Sequence, residues 1–154
     1  MKKIILTLVT AVSLLFLATA CDSGEDGNHD SVISAADLPK SASAFVTTYF
    51  PGITYLTVKK HNIPESDGSV YEVKLSNNFE IDFDANGNWI DIDGNNQPIP
   101  ADLISEKIQN YLTANYPNQF VTSIDNEKTS IEVELSNNIE LVFDLQGNFI
   151  RIDK

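Results

Sequence analysis

Cysteine occurs once in the 154 residues, so the chain cannot close a disulfide on itself and its stability must come from a packed core. Histidine occurs twice, as His29 and His61, and neither has a partner at metal-ligand spacing. Both read as surface side chains. No serine sits in a nucleophile elbow, the glycines form no phosphate-binding loop, and no general base on a rigid scaffold is legible. The sequence therefore predicts no enzyme: no catalytic residues, no cofactor and no metal site. Basic residues are scarce, 10 against 22 acidic ones, for a formal charge of -12. Such a surface excludes nucleic acid and anionic lipid as partners, and its simplest role is solubility. Long apolar runs are missing too. The one candidate, Ile4 to Leu17, is shorter than the roughly 20 residues a membrane-spanning helix needs.

That run belongs to a leader. Lys2 and Lys3 precede it and the small residues Ala18, Thr19 and Ala20 follow, the three parts of a secretory signal over residues 1–20. The next residue is the single cysteine, Cys21. Leu-Ala-Thr-Ala-Cys resembles the lipobox of bacterial lipoproteins, although Ala18 stands where that motif usually has Leu. The resemblance implies cleavage before Cys21, lipidation of that residue and attachment to a membrane through acyl chains. The competing reading is ordinary cleavage after Ala20, leaving a free thiol. Without Lys2 and Lys3 the mature chain keeps 8 basic residues against 22 acidic ones, a charge of about -14. Residues 21–36, rich in Gly, Ser, Asn and acid, read as a flexible tether. Asp22, Glu25, Asp26 and Asp30 behind the cysteine also resemble a surface-export signal of the Bacteroidota. The expected location is the cell envelope, on the outer membrane facing the periplasm or at the cell surface.

The rest of the chain is written twice. Tyr71 to Asp93 and Ile131 to Asp153 agree at about 14 of 23 positions at constant offset, the mark of an internal repeat. Each copy is preceded by an amphipathic pattern. Leu38, Ala42, Phe45, Val46 and Tyr49 recur at helical spacing, with Asp37 as expected cap and Pro51 as stop. Ile104, Ile108, Tyr111 and Leu112 do the same before Pro117. Thr54 to Lys60 and Phe120 to Asp125 read as first strands, followed by strictly alternating ones such as Tyr71-Val73-Leu75 against Glu72-Lys74. Ser76-Asn77-Asn78 and its copy suit tight hairpin turns, and Asp84-Ala-Asn-Gly87 and Asp144-Leu-Gln-Gly147 suit type I turns closed by a left-handed Gly. The expected fold class is α+β: two tandem helix-plus-four-strand repeats, residues 37–94 and 98–154, in one continuous antiparallel sheet with both helices on one face. Residues 61–68 have no counterpart in the second copy and predict a projecting loop.

Strict alternation also places candidate partner-binding residues. Trp89 and Phe149 fall out of phase with Ile90 and Ile92 or Ile150 and Ile152, so they are expected on the face away from the helices. Tyr55, Asp91, Val142 and Arg151 are expected beside them, giving apolar anchors within a charged rim. Cross-strand packing without a partner explains the same aromatics. Asp84-x-Asn86-x-Asn88 has the opening spacing of a calcium loop, but Trp89 stands where such a loop needs Gly and no Glu closes it, so a hairpin turn is the better reading.

Tyr-Phe-Pro51 and Asn-Tyr-Pro117 after the helices, Val-Lys-Leu-Ser and Val-Glu-Leu-Ser in the strands, and the Phe-Asp-x-x-Gly-Asn-aromatic-Ile signature resemble the PepSY-like, β-lactamase-inhibitor-like family of secreted proteins over about residues 37–154. The resemblance implies tandem helix-plus-strand units and, in the inhibitor, binding of an enzyme across the open sheet face. PepSY domains restrain peptidases in protease propeptides. No inhibitor hot-spot motif transfers to this chain residue by residue. The function expected is a lipid-anchored, non-catalytic binding module that offers its outer sheet face to a protein or peptide partner, with inhibition of a secreted peptidase as one version. The alternative is a structural or accessory envelope protein acting by self-association or docking in a larger assembly. A small-ligand or cation carrier is a third expectation.

Overall fold

A computed structural model describes residues 30–153. The leader, Cys21 and His29 lie outside the described residues. Nine strands form one antiparallel sheet in strict sequence order, and two helices complete an α+β fold. The strands are β1 (Ser31–Val32), β2 (Tyr55–Lys60), β3 (Tyr71–Leu75), β4 (Glu80–Phe83), β5 (Trp89–Asp93), β6 (Val121–Asn126), β7 (Ile131–Leu135), β8 (Glu140–Phe143) and β9 (Phe149–Asp153). The helices are α1 (Lys40–Tyr49), before β2, and α2 (Glu106–Asn115), before β6.

Alternation decides which face is covered. Val73, Leu75, Ile81, Phe83 and Ile92 are buried from β3 to β5, as are Ile124, Val133, Leu135, Leu141 and Phe143 from β6 to β8. Ile92 lies directly opposite Ile124 across the β5–β6 seam, so the two sets share one face. Both helices pack on it. Ala42 and Val46 of α1 and Ile108 of α2 join the same apolar cluster. Burying a side chain of this size contributes about 1.5–3 kcal/mol, which lets the chain fold without cross-links.

The helix ends follow local chemistry. The Ser105 hydroxyl accepts the Ile108 amide at 3.4 Å to cap α2, a placement that suits serine. At the other ends, Phe50 N–H donates to Val46 and Tyr116 N–H to Leu112, and the prolines that follow cannot continue the helix. Asp37 does not cap α1. It lies in a separate 3₁₀ turn, where its carboxylate accepts the Ser34 amide and Ser34 accepts from Ala36, while Pro39 occupies the cap of α1. The hairpin turns are built as expected, with Asn78 and Asn138 left-handed at φ 69° and 62°.

Two sequence expectations are corrected at the start of the described chain. The flexible tether does not reach residue 36: Ser31 and Val32 pair with Lys60 and Lys59 as β1, and Ile33 N–H donates to Val58 at 2.9 Å. This adds a ninth strand to the expected eight. His61, expected at the surface, is 8% exposed, with Nδ1 2.9 Å from an Asp30 carboxylate oxygen and Glu65 at 3.6 Å. Burial works against the charged imidazole, but the Asp30 hydrogen bond and the nearby carboxylates win and raise its pKa.

Candidate functional site

The outer face of the sheet, away from the helices, is set by four register shifts. In β5 the direct partners are Asp82 with Asp91 and Phe83 with Trp89, so Ile90 is an extra residue in a bulge. The same shift lets Val142 pair with Arg151 and Phe143 with Phe149, bulging Ile150. In β2 and β6 it falls between Tyr55 and Thr57 and between Val121 and Ser123. Each bulge turns the residue beyond it onto the helix-covered face. Trp89 therefore lies against Phe45 of α1, ring centroids 6.3 Å apart. Phe149 stacks on Tyr111 of α2 at 4.7 Å and 13°. Tyr55 forms a side-chain hydrogen bond with Ser43 of α1, and burial raises its pKa. These three residues, expected on the outer face, belong to the helix–sheet packing.

Asp91, Val142 and Arg151 are on the outer face and share one row across the sheet. Its successive partners are Lys59, Glu72, Asp82, Asp91, Asp125, Glu132, Val142 and Arg151. Val142 is fully buried between Glu132 and Arg151 and lies outside the core cluster, so it offers no free apolar anchor. The cations sit at the ends of the face. Lys59 pairs with Glu72 at 2.8 Å, Lys74 with Glu80, and Arg151 with Asp153 at 2.6 Å. Four consecutive carboxylates in the middle, Asp82, Asp91, Asp125 and Glu132, have no salt bridge among the described residues.

Directly opposed like charges repel, and their neighbours keep water from them. Burial, then the charges of Asp125, Asp82 and Asp93, pushes the Asp91 carboxyl up to about 7. Burial also leads at Asp82, followed by Glu72 and Asp67, and takes it up to about 6. Asp125 reaches about 6 through burial and then Glu127 and Asp67, and its Oδ1 is enclosed without a hydrogen-bond donor among the described residues. A hydrogen bond with Glu140, then burial, carries Glu132 up to about 7. Asp91, Asp125, Glu132, Glu134 and Glu140, with Ser123, line a shallow depression here. Of the four middle carboxylates, sequence reasoning names only Asp91 as a site residue; the alternation of Asp and Glu on four strands is visible in the chain, their lateral alignment is not.

Asp84 to Asn88 form a hairpin turn, the better reading of their spacing. Asp84 Oδ1 accepts the amides of Asn86 and Asn88 at 2.8 and 2.9 Å while Oδ2 accepts the Asn88 side chain, and Asp144 repeats the pattern. These bonds lower both aspartate pKa values against the effect of burial. No group of three or more His, Cys, Asp or Glu side chains among the described residues is placed to hold a metal ion.

Comparison with known proteins assigns the chain. The model of the family described as beta-lactamase-inhibitor-like and PepSY-like matches residues 69–151. The chain belongs to this family. Three solved structures from Bacteroides are similar. One, from B. thetaiotaomicron, is described as a periplasmic protein proposed to be calcium-regulated; it is 35% identical, with 81% of this chain and 97% of that chain covered and a TM-score of 0.74. A proposed periplasmic protein of unknown function from B. vulgatus is 26% identical over 82% of this chain and 100% of its own, TM-score 0.76. Another from the same species is 31% identical over 85% and 99%, TM-score 0.73. No curated protein matches. Among the described residues no helix is long and apolar enough to cross a membrane.

Proposed function

We propose that this family member is a non-catalytic binding module of the cell envelope, held by lipid on Cys21, whose outer sheet face receives a cationic segment of a protein or peptide partner. The observation that carries the reading is the alignment of Asp82, Asp91, Asp125 and Glu132 in one row, none of them in a salt bridge among the described residues. A partner's Lys or Arg side chain brought onto that row relieves the like-charge repulsion and returns the carboxyls to their ionised form. The mature chain's charge of about -14 steers such a partner toward it. A secreted peptidase held by its basic surface is one partner of this kind, in keeping with the inhibitor-like family. The B. thetaiotaomicron relative is described as a protein proposed to be calcium-regulated, so calcium level is varied alongside pH in the test.

The sign of the pH dependence follows. Carboxyls titrating near 6 to 7 are protonated in mild acid and charged above pH 7.5, so the affinity for a cationic partner rises between pH 5.5 and 8. The test is photocrosslinking from the sheet face in the native host, followed by affinity measurement with the captured partner at several pH and calcium levels. The reading predicts at least about tenfold tighter binding at pH 8 than at pH 5.5, since two such carboxyls gain charge over that range. A flat or inverted pH profile rejects it. Substituting Cys21→Ser removes fatty-acid labelling if the anchor is there; unchanged labelling rejects the anchor.

A further inference from the structure

The last strand carries the side chains of an interior strand at an open edge. β9 ends the strand order, with β8 on one side and no described strand on the other. β5, its counterpart in the first copy, is flanked on both sides. Ile92 there pairs with Ile81 and Ile124 and is fully buried. Ile152 stands opposite Leu141 in the same register position, yet it is 55% exposed, with Ile150 at 52% and Phe149 at 36%. The opposite edge of the sheet is closed differently. β1 covers the far half of β2, and the Asp30–His61 contact holds the start of that segment. Nothing comparable closes β9 among the described residues, and an apolar edge strand left open is a template for pairing.

Charge selects what fits there. We infer that β9 pairs antiparallel with β9 of a second copy of this chain, about a two-fold axis at Ile152. In that register Arg151 of each copy lies opposite Asp153 of the other and Ile152 meets Ile152, so a single strand supplies both halves of a complementary seam. Within one copy Arg151 already reaches Asp153 along its own strand at 2.6 Å, so the exchange needs no new ionisation. The competing registers are worse. Centring the pair on Arg151 sets that residue against itself, and a slip of one residue carries Ile152 to the charged face. Head-to-tail pairing onto β2, in the register of the β5–β6 seam, brings Arg151 opposite Lys59 and requires β1 to leave. The bulge at Ile150 ends regular pairing on one side and keeps the seam short. In the dimer the two outer faces are continuous, so both carboxylate rows point the same way. The dimer seam uses Arg151 at the end of the row but none of the four central carboxylates, so it stands or falls independently of partner binding there.

Sedimentation velocity of the full chain carrying Cys21→Ser, over a range of concentrations, reads the association directly. The wild-type seam predicts a concentration-dependent dimer. Asp153→Arg alone and Arg151→Asp alone each set like charges opposite one another at two symmetric positions, which raises the dissociation constant by at least about tenfold. Mixing these two variants restores pairing, because the basic strand of one then faces the acidic strand of the other. In the same background Ile152→Cys closes a disulfide between copies, since directly opposed residues meet the Cα spacing a disulfide needs, whereas Ile150→Cys in the bulge does not. A monomer at every concentration, charge variants that dimerise like wild type, or a mixture that stays monomeric overturns the proposal.

Discussion

The Asp91 carboxyl shows how one residue ties stability to the use of the face. Its pKa is raised from 3.8 to about 7, so the folded chain holds a proton that the unfolded chain releases. Stability from this group is fully present below pH 4 and is lost as pH rises toward 7. Asp82, Asp125 and Glu132 act in the same direction through about 6 to 7. Thermal unfolding should therefore give a melting temperature that falls between pH 5 and 8. Asp91→Asn should stabilise the fold at pH 8 by on the order of 1–3 kcal/mol and have little effect at pH 4. Equal effects at both pH values contradict the assignment. His61 adds a slope of the same sign: its raised pKa keeps the imidazolium beside Asp30, stabilising at low pH and lost above its titration. His61→Ala should loosen β1, read as faster amide exchange at Ile33, whose N–H is bonded to Val58.

Among the elements, the turns that seat the helices carry different loads in the two copies. Gly87, at φ 79°, lies under the start of α1. A Cβ there would meet Ser41 Oγ at 2.3 Å, Pro39 Cβ at 2.7 Å and the Ala42 amide nitrogen at 2.9 Å. At Gly147 the nearest atom, Ser105 Oγ, is 3.2 Å away, although φ is 76°. Both glycines supply a left-handed backbone, but only the first also admits a helix backbone at contact distance. Gly87→Ala should cost about 3 kcal/mol or more and Gly147→Ala about 1–2 kcal/mol, measured by chemical denaturation. The helices, most strands, the Asn turns and the Asp-Gly turns are legible in the sequence because each has a local cause: period, cap, stop or left-handed residue. Three bulges leave a fainter trace, in Tyr55-Leu56, Trp89-Ile90 and Phe149-Ile150, where alternation breaks into two adjacent large apolar residues; the one at Val121-Thr122 does not show. Continuing the alternation through those pairs puts Trp89, Phe149 and Tyr55 on the wrong face. β1 escapes a sequence reading because two residues carry no period, and its pairing depends on contacts made 27 and 29 residues later.

At the scale of the described fold, nine strands in sequence order build a broad sheet whose helix side is spent on the core and whose other side gathers charge. Seven of the eight side chains in the central row are ionisable, with the cations at the ends. No sequence pattern within one strand reveals such a row, since it exists only once neighbouring strands are in register. The fold is therefore shared with relatives that are 26–35% identical, while the row depends on outward positions that the fold does not constrain. The most direct measurement is quantitative crosslinking in the native host, comparing wild type, Asp91→Asn/Asp125→Asn, and a charge-matched Asp102→Asn/Glu106→Gln variant that alters the α2 region instead. The carboxylate row predicts that partner capture is lost in the first variant and kept in the second. Capture that survives loss of Asp91 and Asp125, or that falls equally in both variants, contradicts it.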